Sequence, residues 1–397
     1  MKNKNAFFMG LFVGISLVLV GMLGFNVYAR QSRWGGSLSP NEKVSEIFNI
    51  VTRFSIMEYD RPQMIENMYR GLVAGIGDPY SQYFDVEALQ AFTTRTEGTF
   101  VGVGIRVIMD PVDRMLTIVQ VFRDAPAREV GLRPDDRIIG VDGVDVIGRA
   151  QDEIMAMIRG DEGTEVAIEI FRPDENKRFE VTITRALVVV PSVYHELIET
   201  PVGRTGYIRI EAFERQTLQQ FNTAMQELTA QDMCGLIIDV RNNPGGLMEV
   251  VTRITNTLVP QGVITFTEDV NGNREYHRSN ATYLGLPLVV LINGRSASAS
   301  EVLAGAVLDL GVGTLVGEQT FGKGSVQNLY PLPDNTAVKL TIAKYFTPNG
   351  SSIHGVGLPP CFPVEMDESL SRRIGDDLSI EEDVQLQIAL RVLDHKR

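Results

Sequence analysis

Beyond residue 98 the chain is built from short apolar runs, each closed by a glycine-bearing turn. Residues 234–240 (CGLIIDV) and 286–292 (LPLVVLI) are too short for buried helices and read as buried strands. After 286–292, Asn293, Gly294 and Arg295 make a turn. Val302, Leu303, Ala306 and Leu310 then recur at helical spacing, which predicts a helix over 298–310. After 234–240 comes Arg-Asn-Asn-Pro-Gly-Gly, and a helix is expected to begin near Leu247. Residues 314–317 read as a further short strand. Strand, turn and helix in this repeated order predict an α/β core.

Residues 98–187 follow a different rhythm. Strands are expected from Gly102 to Ile105 and over 116–122, then a short helix over 125–130 stopped by Gly131. A strand over 136–141 ends in an Asp142-Gly143 turn, 150–158 has helical periodicity, and 166–171 alternates as a strand. Upstream, Val44, Ile47, Phe48, Val51 and Phe54 mark one amphipathic helix. Ile65, Met68, Tyr69, Leu72 and Ile76 mark a second, ended by Gly77-Asp78-Pro79. Residues 380–393 read as a last helix, and its pattern serves docking on the core and assembly equally well.

The N-terminus alters the picture of location. Lys2 and Lys4 precede an uncharged stretch over 5–29, longer than the ~7–15 residues of a signal core and long enough to span a bilayer. Length favours an uncleaved anchor, while Val27-Tyr28-Ala29 also suits a cleavage site that would release a secreted form. Either way the rest of the chain is expected outside the cytoplasmic membrane. The net charge of −13 argues against nucleic acid or an anionic membrane surface as partner. Two cysteines, Cys234 and Cys361, cannot frame a chain of 397 residues with disulfides, and Cys234 reads as a small core residue. No metal-ligand cluster, phosphate loop or dinucleotide fingerprint appears, so neither metal nor cofactor is expected.

The candidate chemistry lies at one strand-to-helix junction. Ser298, the middle serine of Ser296-Ala-Ser-Ala-Ser300-Glu301, falls at a helix N-terminus, where unpaired N–H groups favour developing negative charge. Taken alone, alternating serine and alanine before a helix more often caps it than performs catalysis. Lys323, 25 residues later, sits between Gly322 and Gly324 just beyond a buried strand, a place from which it can point inward. A serine hydroxyl needs a neighbour to take its proton, and a lysine can do so near neutral pH only when burial keeps it uncharged. The four histidines, His195, His277, His354 and His395, lie outside the blocks around Ser298 and Lys323, although chain order alone does not exclude a histidine triad. Gly246 suits close approach of backbone to a substrate, and equally an ordinary tight turn. Asp239 and Arg241 read as structural partners.

Together SASASE, GEQTFGKGSVQ, DVRNNPGG and TPNGSSIHGVG resemble the signature blocks of the carboxyl-terminal processing (tail-specific) serine proteases. The resemblance runs in order over roughly residues 40–365. It implies that Ser298 is the nucleophile, Lys323 the general base and Gln327 the residue that orients the lysine. It further implies that the backbone N–H groups of Gly246 and Ala299 are the oxyanion donors. Residues 98–187 are similar to a PDZ domain, with Gly102, Val103, Gly104 and Ile105 matching the loop that cradles a peptide's terminal carboxylate.

The expected architecture is a multi-domain α/β chain, a ββα-type protease core with an inserted PDZ domain and an N-terminal helical region. Its segments are 1–30 (anchor or signal), 38–97 (helical region), 98–187 (PDZ domain), 188–365 (Ser/Lys core) and 366–397 (C-terminal helical segment). The resemblance implies protein substrates with accessible C-terminal tails, and a homodimer. The competing reading is an inert PDZ scaffold outside the membrane, against which the intact serine, lysine and glycine blocks speak. A crotonase-like acyl-CoA enzyme is a remote third, since strand-turn-helix oxyanion sites serve that chemistry too.

Overall fold

The computed structural model describes residues 38–396 except 111–112, 281–282 and 376–377. The apolar stretch over 5–29 therefore lies outside the described residues. Among the described residues no helix is long and apolar enough to cross a membrane. The chain divides into two compact units at residues 67 and 68.

In the first unit, helix α1 (Pro40–Phe54) starts at Ser39, whose hydroxyl accepts from the Glu42 N–H while Glu42 Oε2 accepts from the Ser39 N–H at 2.9 Å. This reciprocal pair satisfies two donors that a helix start leaves open. Ile47, Ile50 and Phe54 of α1 are exposed. Helix α2 (Arg61–Ala74) carries the chain across the unit boundary.

Among its described residues the second unit holds four β-sheets, of five, six, two and six strands. Strand β1 (Gln82–Phe84) and helix α3 (Val86–Glu97) come first, so the stretch expected to be helical contains a strand. Next come β2 (Thr99–Gly102), β3 (Ile105–Met109), β4 (Leu116–Val121), α4 (Pro126–Glu129), β5 (Arg137–Val141), β6 (Val144–Asp145), α5 (Gln151–Ile158), β7 (Glu165–Arg172), β8 (Lys177–Thr184) and β9 (Ala186–Val189). Strands β3-β4-β5-β7-β8 form an antiparallel sheet whose inward residues, Ile118, Ile138, Ile168 and Ile170 among them, pack on Ile154 and Ile158 of α5. Strand β2 pairs with β9 at the edge of this module.

The central sheet is β10 (Val193–Thr200), β11 (Gly203–Ile210), β12 (Gly235–Asp239), β15 (Leu288–Ile292), β16 (Gly313–Gly317) and β19 (Phe362–Pro363), in that order. Strands β10 and β11 form a hairpin, and the pairs from β11 onward are parallel. Helices α6 (Thr217–Thr229), α7 (Met248–Leu258) and α8 (Ala299–Asp309) cover one face. The apolar runs explain the two-sided burial. Ile238, Val290, Ile292 and Leu315 face these helices, whereas Ile237, Val289, Leu291 and Val316 face Leu386, Ala389 and Leu393 of helix α9 (Val384–Asp394). Strands that alternate between two covered faces are apolar throughout, which is why 286–292 shows no polar position.

The last helix thus docks on the core, and it begins four residues later than its apolar spacing suggests. Asp383 stops it there. Its carboxylate caps the Leu386 N–H (2.9 Å) and accepts from Arg241, which also binds Asp239 at 2.6 Å deep in the fold. Cys234 is half-buried at the strand's edge, with Sγ 3.3 Å from the Arg204 carbonyl, rather than in the core.

A further sheet packs against helices α7 and α8. It contains β13 (Gly262–Asp269), β14 (Arg274–Ser279), β17 (Ser325–Pro331) and β18 (Ala337–Phe346). Strand β1 joins it by pairing with β18, Gln82 opposite Lys339. Residues made before the β3–β8 module therefore share a sheet with residues made long after it.

Candidate active site

The two turns that close β12 and β15 are braced against each other by small polar side chains. Ser296 Oγ donates to the Val240 carbonyl (2.7 Å) and accepts from the Asn293 N–H (2.9 Å). Ser300 Oγ donates to the Asn243 carbonyl (3.0 Å), which also accepts from the Ala297 N–H. Asn243 Oδ1 accepts from the Gly245 N–H (2.8 Å), and its amide donates to Ile210. Serine, asparagine and glycine recur here because each must bond backbone at close range without bulk.

Between these braces Ser298 caps α8 in a conformation that L-residues rarely adopt, φ 56° and ψ −114°. Such backbone costs roughly 1–3 kcal/mol and persists only where the surroundings impose it. The glycine turn leans directly on it: a Cβ at Gly245 would lie 2.8 Å from Ser298 Cβ. Gly246 is equally confined, since a Cβ there would come within 2.2 Å of the Phe213 carbonyl oxygen. Phe213 bridges this turn by donating its N–H to the Gly245 carbonyl and accepting from the Leu247 N–H. The bridge uses the neighbours of Gly246 and leaves its own N–H without an acceptor among the described residues. The Ala299 N–H, first in α8, is in the same position.

Lys323 enters from the loop between β16 and β17. Burial lowers its pKa, Lys339 adds to the effect, and Asp78 and Glu301 oppose it. Its Nζ lies 4.7 Å from the centre of the Tyr80 ring, and among the described residues no hydrogen bond joins Nζ to Ser298 Oγ. Gln327 sits on β17 with its amide donating to Ser325 Oγ (2.9 Å) and Thr341 Oγ1 (3.2 Å), not to the lysine. His354 meets this loop through its backbone, 2.7 Å from where a Cβ on Gly324 would stand.

Glu301, to which the sequence pattern gives no role, is the hub of the site. Its carboxylate is fully buried. Oε2 accepts from the N–H groups of Ser298 (2.8 Å) and Lys323 (2.9 Å). Oε1 accepts from Thr320 Oγ1 (2.6 Å) and the Gly322 N–H (2.7 Å). A buried carboxylate is tolerated when its lone pairs are filled in this way. One signal was available, an acidic residue three positions after the N-cap serine. Tyr345, also missed, places its hydroxyl 2.9 Å from the Ser298 carbonyl and beside that of Lys323. Burial first, then Glu301, pushes that phenol well above its ordinary range. A cleft of about 470 Å³ is lined by β13, β14, β17 and β18, with Met248, Val326, Ile342 and Ala343 as its apolar part and Asp269, Arg274, Glu275 and His277 as its charged and polar part.

The confinement of Gly246 makes a prediction. Gly246→Ala should force the turn off Phe213, misplace its N–H and lower the turnover of the chain about 10²–10³-fold, the usual loss of one oxyanion donor. A circular dichroism spectrum alongside the assay separates this from unfolding, and activity within a few-fold of the parent would remove that N–H from the chemistry.

In the β3–β8 module, Gly102, Val103, Gly104 and Ile105 are buried between β2 and β3. The Val103 carbonyl accepts from Ala127 and that of Gly104 from Phe122. The N–H groups of Val103 and Gly104 have no acceptor among the described residues. Gly104 adopts φ 81° against Ala125, so a side chain could not replace it.

Comparison with known proteins agrees with this layout. Residues 204–364 match peptidase family S41 and residues 101–183 match the PDZ domain family. The carboxy-terminal processing protease CtpB of Bacillus subtilis is 33% identical over 333 residues, 83% of this chain and 69% of that protein. The carboxyl-terminal-processing protease of Synechocystis is 35% identical over 326 residues, 81% and 75% of the two chains. A solved S41 protease structure from Bacteroides fragilis shares the fold with a TM-score of 0.55 at 14% identity, covering 87% of this chain and 93% of that one.

Proposed function

The chain belongs to the S41 peptidases and is a serine-type, carboxyl-terminal processing protease with a PDZ domain; from that membership we propose that Ser298 is its nucleophile and Lys323 the general base. The observation that carries this reading is the Glu301 carboxylate, which accepts hydrogen bonds from the backbone of both residues and so anchors the serine turn and the lysine loop to one point.

Neutral Lys323 takes the Ser298 proton as Oγ attacks the peptide carbonyl carbon. The N–H groups of Gly246 and Ala299 receive the charge that forms on the carbonyl oxygen. The tetrahedral intermediate collapses, the C–N bond breaks, and the lysine ammonium gives its proton to the departing amine. Water then attacks the acyl-enzyme as Lys323 takes its proton, the bond from the acyl carbon to Ser298 Oγ breaks, and the lysine ammonium returns that proton to Oγ. Gln327 takes the lysine's other hydrogen-bonding position once its amide leaves Ser325 and Thr341. The cleft that Met248 and Val326 line receives substrate side chains.

The unpaired N–H groups of Val103 and Gly104 support a nest for a tail carboxylate, with the tail lying as a strand beside β3. Charge-assisted hydrogen bonds of this kind are worth ~1.5–3 kcal/mol. Amidating the C-terminus of a substrate should therefore lower kcat/KM about tenfold or more in a peptide cleavage assay, and equal rates for the acid and amide would remove the nest. The exposed apolar residues of α1 support contact with a second copy, and the N-terminal apolar stretch supports a site of action outside the cytoplasmic membrane.

The reading is tested by incubating the protein with an unstructured polypeptide of free C-terminus at neutral to mildly alkaline pH. Discrete fragments are expected, and their absence would leave a tail-binding scaffold.

A further inference from the structure

Tyr80 and the turn that holds it are absent from the mechanism above, although Tyr80 is the residue that meets the Lys323 amine. The turn is tightly made. Asp78 Oδ1 accepts from the Tyr80 N–H (3.1 Å), and Asp78 Oδ2 from Ser81 Oγ (2.5 Å). Ser81 Oγ in turn accepts from the Thr341 N–H (3.2 Å) on β18, next to the β1–β18 pairing. Thr341 Oγ1 is the group that accepts from the Gln327 amide (3.2 Å). One short segment thus meets Lys323 directly and is linked to Gln327 by way of β18.

An ammonium 4.7 Å from a ring centre lies within the range where the negative ring face attracts a cation. That attraction acts on charged lysine only, whereas proton transfer from Ser298 needs the neutral amine. We propose that Tyr80 is a positioning residue for Lys323: its ring holds the ammonium form of the lysine and competes with Ser298 for that side chain. The inference rests on Lys323 being the base. Other charged groups facing the amine are Asp78 and Glu301, which favour its charge, and Lys339, which opposes it; burial opposes it most. Because the ring favours the charged form, weakening the ring's negative face should let the lysine lose its proton at lower pH.

The test keeps shape and changes only the ring's electrostatics. Tyr80→Phe serves as the reference, followed by mono- and trifluorinated phenylalanine at position 80, with kcat/KM followed against pH. The acidic limb of kcat/KM reports the free enzyme's base. It is expected to fall steadily with fluorination, by about 0.5–1 pH unit for the trifluorinated ring, a roughly three- to tenfold change in the lysine's ionisation constant. A limb that stays fixed or rises across the series overturns the proposal. Lys323→Met is assayed in parallel. Loss of turnover there together with a fixed limb rejects only the role of Tyr80, whereas surviving turnover rejects the base assignment and this inference with it.

Discussion

Replacing Ser298 by alanine should lower kcat by at least about 10⁴-fold and leave the fold and tail binding in place. Removal of a nucleophile that acts with its base as one unit leaves only oxyanion donors and binding, which by themselves give a small residual rate. The backbone argument predicts that stability is spared. Serine and alanine carry the same Cβ into the φ 56° conformation, so the strain at position 298 is unchanged. The N–H that reaches Glu301 and the carbonyl that meets Tyr345 belong to the backbone and survive the substitution. The check is a peptide cleavage assay together with a thermal melt. Turnover within tenfold of the parent would remove Ser298 from the mechanism, and a melt lowered by many degrees would show that its hydroxyl is structural.

Glu301→Gln should be the most damaging near-isosteric change in the molecule. Four donors within 2.9 Å converge on the carboxylate, two on each oxygen, and the Tyr345 hydroxyl stands 3.5 Å from Oε2. An amide offers one oxygen, and whichever way it turns, its NH₂ confronts two N–H or O–H donors. Two buried donors lose their acceptor, and removing an ionised buried partner typically costs ~3–5 kcal/mol. Because the losses fall on the Ser298 turn and the Lys323 loop together, kcat should drop about 10²-fold or more even in the folded fraction. Denaturant unfolding and single-turnover cleavage measure the two effects separately. A variant of parental stability would mean that the four bonds contribute little and that the loops are held from elsewhere.

The parts of the site that were legible in the sequence are those written locally. Residues 286–292 show a two-sided strand because both faces are covered, and the helix after Ser298 shows its apolar spacing within one segment. Glycine at 246 and the glycines framing Lys323 mark places where backbone comes close to backbone. What stayed hidden depends on residues distant in the chain. Tyr80 reaches Lys323 only because β1 pairs with β18, and nothing in the local pattern around either strand announces the other. Glu301 looks like a helix-capping acid until the 320–323 loop folds over it. Arg241 and Asp239 read as a structural pair, but the third member, Asp383, lies on a segment whose pattern left its docking undecided. The expectation for Gln327 came from resemblance, and its amide instead serves Ser325 and Thr341, which no spacing rule foretells.

The pairing of β1 with β18 bears on how the chain is made. Strand β1 emerges from the ribosome early and its partner near the end, with the β3–β8 module completed between them. Contacts of such long sequence separation form late, after the costly closure of the intervening loop. Tyr345, which bridges the serine turn to the lysine loop, and Thr341, which meets Gln327, are both on that late strand. A partly synthesised chain therefore carries the serine without the geometry to use it.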